Sequence, residues 1–155
     1  MPRPPILDPV DFKALFKKGA TYEEWLKGKE EAENAEKMED LRKDLEVPPA
    51  FAAHLKALPR AVHVLAIAEG WCGDVHRHVP VLMKLAEQSE KVKVSFIARE
   101  TDKDVFARYL TNGGEAIPKF VFFNEEFTEC GNWGPMPGEC RRLIARGKAA
   151  GDVGK

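Results

Sequence analysis

A change of hydrophobic period at residue 61 constrains this chain more than any other feature. Residues 61–68, Ala-Val-His-Val-Leu-Ala-Ile-Ala, form a short and almost continuously apolar run, the pattern of a strand buried on both faces. Residues 73–88 then place Val75, Val79, Leu82 and Ala86 on one helical face, and residues 92–98 give a second β-rich run. This is a βαβ unit, whose crossover is expected to be right-handed and whose strands are expected to be parallel. Phe120-Val121-Phe122-Phe123, a polar turn at Asn124-Glu125-Glu126 and then Phe127-Thr128-Glu129-Cys130 read as a hairpin. The expected fold is α/β: a four-stranded mixed sheet from residues 61–68, 92–98, 119–123 and 127–131, with helices on both faces.

Residues 1–60 read as a helical N-terminal extension and residues 61–150 as the α/β domain. Residues 21–46 are dense in Glu and Lys and are expected to be helical, opened by a Thr21/Glu24 capping box and stopped at Pro48-Pro49. Met38, Leu41 and Leu45 mark the buried face. The charge run reads as a solvated helix face with i to i+4 pairs, the alternative being a partner-binding role. Shorter helices are expected around residues 11–17 and 50–58. A further helix over 102–110 is expected to end at Asn112-Gly113-Gly114 through a left-handed glycine, and a last one to cover 137–146.

A chain of 155 residues allows one ordinary domain with a modest extension. Its 24 Lys and Arg against 25 Asp and Glu leave a charge of −1 with no basic stripe, which argues against nucleic acid as a partner. No run approaches the roughly 18 apolar residues of a membrane span, and no signal-peptide pattern opens the chain, so a soluble, cytoplasmic protein without a membrane partner is expected. Three cysteines, Cys72, Cys130 and Cys140, are too few for a secreted disulfide scaffold, and at least one thiol is expected to be free.

Chemistry concentrates in Glu69-Gly70-Trp71-Cys72-Gly73-Asp74-Val75-His76, between the first parallel strand and its helix, the edge of an α/β sheet that ligands favour. At a helix N-terminus, free N–H groups and the helix dipole favour thiolate over thiol, so Cys72 is the expected nucleophile; the alternative is a small residue filling the turn. Helical geometry puts His76 about 40° from Cys72, where it can support the thiolate or simply border the core. Asp74 and His78, four apart, read as an i to i+4 pair. Zinc is not expected on Cys72, Asp74, His76 and His78, because His76 and His78 point about 200° apart on one helix. Cys130 reads as a buried small residue, or as a resolving thiol if the hairpin returns it to the active edge. Cys140 shares a helix face with Met136, Leu143 and Ile144 and reads as core.

Trp71-Cys72-Gly73 opening a helix, Pro80 eight residues after the cysteine, and Ile117-Pro118 just before a strand resemble the thioredoxin superfamily. The run from Asn112 to Pro118, with Gly131-Asn132-Trp133-Gly134-Pro135, looks closer still to bacterial thioredoxin-like proteins with a helical N-terminal extension. The resemblance implies a thioredoxin-like fold, with a cis Pro118 facing the cysteine. The candidate substrate surface comprises Trp71, Gly73, Asp74, Ile117, Pro118 and Trp133, where Trp71 and Trp133 read either as apolar walls for an extended peptide or thiol or as shields of the core edge; no cofactor is expected. Three positions depart from the family pattern: Val75 replaces the second motif cysteine, Asp74 the motif proline and Ala66 the buried acid. The expected function is a single-cysteine thiol-disulfide oxidoreductase acting through a mixed disulfide at Cys72. Its substrate would be a disulfide-containing protein or small thiol, and its reductant a low-molecular-weight thiol. The alternative is a non-catalytic thioredoxin-fold protein-binding module.

Overall fold

The computed structural model describes residues 7–151, so residues 1–6 of the expected extension lie outside the described part. Eight α-helices and four strands occur there in the order α1 (Phe12–Lys18), α2 (Tyr22–Trp25), α3 (Lys29–Ala32), α4 (Ala35–Asp44), α5 (Pro49–Lys56), β1 (Val62–Ile67), α6 (Gly73–Ala86), β2 (Val92–Ile97), α7 (Lys103–Phe106), β3 (Lys119–Phe123), β4 (Glu129–Trp133) and α8 (Gly138–Ala149).

The strand order is β2-β1-β3-β4. As the period switch requires, β1 runs parallel to β2, with Val62 opposite Val92 and Ile67 opposite Ile97. β3 is antiparallel to both β1 and β4. Helices cover both faces. Phe12 of α1 packs on Phe123 at 4.8 Å, and Ser95 Oγ of β2 donates to the Phe16 carbonyl on the same side. On the other face Trp25 of α2 stacks on Phe96 at 4.8 Å, and His78 of α6 meets Trp133 edge-on. Ala20 exchanges both backbone hydrogen bonds with Phe96, covering the outer edge of β2. Leu15, Tyr22, Trp25 and Met38 thereby join β1, α6 and β3 in one hydrophobic core.

The Thr21/Glu24 capping box forms as the sequence suggests, but residues 21–46 are not one helix. Gly28 and Asn34, both in non-helical conformations, start α3 and α4 anew. The helix expected over 102–110 is a single turn of α7, capped by Asp102, followed by a 3-10 turn at Ala107–Tyr109. Asn112 and Gly113, with φ of 51° and 75°, form instead a tight turn whose flanks Thr111 and Gly114 bond each other. Two successive positive φ values suit Asn-Gly. The last strand starts two residues later than expected, because Asn124 Oδ1 accepts from the amides of Glu126 and Thr128. Phe127, at φ 61°, turns inward onto His63, and pairing begins only at Glu129, with a bulge directly after it.

The expected packing of Cys140, Leu143 and Ile144 is not seen: Leu143 is 71% exposed, and Cys140 and Ile144 are exposed too. Helical spacing defines an apolar face without supplying a surface beneath it, and β4, just before α8, exposes Glu129, Cys130 and Asn132. No helix among the described residues is long and apolar enough to cross a membrane.

Candidate functional site

β1 delivers the chain to the sheet edge at Ile67, and Cys72 is the N-cap of α6, a helix of 14 residues. No side chain caps this end, that of Cys72 included, so the first amides of α6 and its positive dipole end are left free next to the cysteine. The thiol is half-buried, and its Sγ lies 3.5 Å from the Ile117 carbonyl oxygen. The Ile117–Pro118 bond is cis, and both residues are buried at the entrance to β3. Cys72, Ile117 and Pro118 are thus brought together as the resemblance implies.

The other expected site residues sort by what they touch. Gly73 borders open space, since a Cβ there would meet nothing within 4 Å beyond its chain neighbours. Trp71 is 53% exposed beside the cysteine, with the Arg99 guanidinium 5.1 Å above its ring. Trp133 is half-buried, stacked on Phe120 at 5.6 Å. Asp74 faces Arg77 at 3.8 Å, not His78, whose Nδ1 instead contacts the Asp74 backbone carbonyl at 2.8 Å. The expected i to i+4 pair is therefore formed through the main chain. His76 turns its Nε2 to the Gly70 carbonyl at 2.5 Å and so bonds the loop before the cysteine. Val75 and Ala66 are fully buried. Among the described residues no group of three or more His, Cys, Asp or Glu side chains gathers as a metal site would.

Two expectations for the remaining thiols need correction. Cys130 is exposed, not packed, because it lies in the bulge of edge strand β4. It also lies at the wrong end of that strand to resolve a disulfide at Cys72. Its neighbour Glu129 pairs with Phe123, and Phe123 with His63 near the start of β1, about 13 Å of strand away from Ile67. Cys140 is exposed in the first turn of α8, so Cys72 is not alone at a helix N-terminus.

A clamp on Gly70 has no counterpart in the sequence reading. Its amide donates to Glu31 Oε1 at 2.9 Å, and its carbonyl accepts from Asn34 Nδ2 at 3.3 Å as well as from His76. A Cβ on Gly70 would lie 2.5 Å from the Glu31 backbone nitrogen, so only glycine admits this approach. On the opposite side Arg99 donates to Glu69 Oε2 at 2.8 Å and to the Glu115 carbonyl at 3.1 Å, tying the motif loop to the segment before Pro118. Apart from His76, which is six residues from Gly70, these partners are 16 to 39 residues apart, beyond any local period. The one local hint is the Gly28 and Asn34 punctuation that lets α3 face the loop.

A sequence profile described as thioredoxin matches residues 19–149. No curated protein matches the chain. Among solved structures, a Pseudomonas aeruginosa protein of unknown function is similar at a TM-score of 0.76 and 20% identity, covering 94% of this chain and 89% of that one. An HIV epitope-scaffold is similar at a TM-score of 0.70 and 18% identity, covering 92% and 90%. At these identities the likeness concerns the fold.

Proposed function

The chain belongs to the thioredoxin family, and on that premise we propose that it is a single-cysteine thiol-disulfide oxidoreductase working through a mixed disulfide at Cys72. The observation that carries this reading is the placement of the half-buried Cys72 sulfur at the start of α6, 3.5 Å from the Ile117 carbonyl.

The chemistry follows from one sulfur. The Cys72 thiolate attacks one sulfur of a substrate disulfide; the S–S bond breaks, the second substrate sulfur leaves as a thiolate and takes a proton from solvent, and a Cys72–substrate disulfide remains. Val75 has no thiol with which to expel the bound half. A low-molecular-weight thiolate then attacks the substrate sulfur, forms a new disulfide with it, and returns Cys72 as thiolate. Trp71, next to the cysteine in the chain, and Trp133, packed on Phe120 and His78, supply apolar surface for the substrate, Asp74 lies in the first turn, and the Ile117–Pro118 backbone faces an extended substrate. His76 is a positioning residue, holding the Gly70 carbonyl and so the loop that carries Cys72. A reducing, cytoplasmic setting suits a thiol that must be regenerated by small thiols.

Val75 and Ala66, both apolar and buried, favour a second reading as a non-catalytic binding module. Brief treatment of the native protein with a limiting aromatic disulfide, followed by site-resolved mass spectrometry, separates the two. Adducts on Cys72 ahead of the more exposed Cys130 and Cys140, and their removal by a small thiol, support the oxidoreductase. An inert Cys72 in a protein whose other thiols react supports the binding module.

A further inference from the structure

A cavity of about 360 Å³ opens where β3 begins and β4 ends. Lys119 and Arg141 line it together with Thr111, Asn112, Asn132 and the start of α8 at Gly138. Among the described residues no aspartate or glutamate contributes to its wall.

Lys119 is the first residue of β3 and only 5% exposed. Its ammonium donates to Thr111 Oγ1 at 2.9 Å and to the Gly134 carbonyl at 3.0 Å. Both partners are neutral, and one of the three ammonium donors stays unused. Among the described residues no carboxylate reaches ion-pair distance of Lys119 or Arg141. The charge that acts on Lys119 is that of Arg141, and burial and this like charge both lower its pKa. A buried cation facing a second cation is costly unless an opposite charge enters between them. Glu139, the one acid in the first turn of α8, pairs with Arg142 at 3.0 Å and does not line the cavity. Pro137 offers α8 no side-chain cap, so the amides of that turn add further positive potential.

We propose that this cavity is an oxyanion-binding subsite, which takes the carboxylate or phosphate group of a small molecule between the Lys119 ammonium and the Arg141 guanidinium. Ammonium and guanidinium donors complement either oxyanion. The subsite lies on the same sheet edge as the thiol, because Lys119 follows by two residues the Ile117 whose carbonyl meets Cys72. It stands on the charges in the cavity and does not require reaction at Cys72.

The test is to titrate the full, ¹⁵N-labelled chain separately with inorganic phosphate and with acetate, holding ionic strength constant with chloride. Saturable shifts of the Gly138 and Asn132 amides are expected, with Phe127 at the far end of the sheet unmoved. Arg141→Glu, at an exposed position that leaves the fold intact, should weaken binding by about tenfold or more, as loss of a charge-assisted hydrogen bond does. Lys119→Met should do the same. Tighter phosphate binding would mark a phosphate ester as ligand and tighter acetate binding a carboxylate, either result supporting the subsite. Linear, non-saturating shifts in both titrations, or undiminished binding in Arg141→Glu, would overturn it.

Discussion

Glu31 Oε1 accepts a hydrogen bond from the Gly70 amide at 2.9 Å across 39 residues of sequence. A side chain from the acidic N-terminal segment thereby fixes the peptide two positions before the thiol.

Glu31→Ala should cost about 1–2 kcal/mol, because it leaves the Gly70 amide without its acceptor. It should also change the rate of mixed-disulfide formation at Cys72 severalfold while leaving that at Cys130 alone. Glu31→Gln, which keeps an oxygen acceptor, should restore most of both. Denaturant midpoints and site-resolved labelling rates check this, and equal effects on the two cysteines would refute the positioning role.

Val75→Cys should give Cys72 a resolving partner one helical turn away. The smaller side chain costs about 1 kcal/mol of packing at this buried position. A substrate bound to Cys72 should then be released without added small thiol, leaving the variant with an internal disulfide and lighter by two hydrogens. Mass spectrometry of a single turnover reads this directly; a mixed disulfide that persists in the variant contradicts it.

Gly134→Ala should destabilise the fold by about 3 kcal/mol or more. Gly134 sits at φ 136°, and a Cβ there would lie 2.1 Å from the Pro118 carbonyl oxygen, a backbone atom that cannot move aside cheaply. Thermal unfolding checks it, and a variant that melts with the wild type would show that the β4 exit does not press on the Pro118 segment.

The Tyr22, Glu39 and Arg42 cluster should give stability a definite acid limb. Arg42 is bonded to Glu39 at 2.7 and 3.0 Å, and Tyr22 Oη donates to Glu39 at 2.7 Å. The Arg42 hydrogen bonds, with help from Tyr22, hold the Glu39 carboxyl below its usual range. A depressed folded value means that this stabilisation is present above the ordinary glutamate pKa near 4.3. It is lost as pH falls through the lower folded value. Glu39→Gln should flatten that part of the stability profile between about pH 5 and pH 3, and an unchanged profile would exclude the cluster as its source. In the same cluster, burial first and the Glu39 bond second push the Tyr22 phenol upward, so its ionisation is deferred on the alkaline side.

The sheet was legible because its signals are local and strong. β1 and β3 are nearly unbroken apolar runs whose length forbids much else, and Trp71-Cys72-Gly73 with Ile117-Pro118 locates the thiol and the segment it faces. What escaped depends on distant partners. Gly28 and Asn34 break a charged stretch whose composition favours helix throughout, and what that break achieves, Glu31 and Asn34 on Gly70, is visible only once residues far apart in sequence meet. The β-forming side chain of Phe127 suits a strand, yet the Asn124 turn commits its backbone elsewhere. Leu143 and Ile144 have the spacing of a buried face, but period records only that a face exists. Lys119, at the head of a run of phenylalanines, is a lone cation in an apolar strand and gives no sign of which walls will surround it.

The placement of Met38 and Trp25 inside the same interior as β1 and α6 bears on how the protein comes apart. An interior shared by early and late parts of the chain cannot be opened by halves, so heat or denaturant should meet a single cooperative transition. A protease that cut between α5 and β1 would leave two fragments still held by the interior they jointly fill. By the same logic the N-terminal helices are no detachable module, because removing them would open to water the sheet face that Trp25 covers.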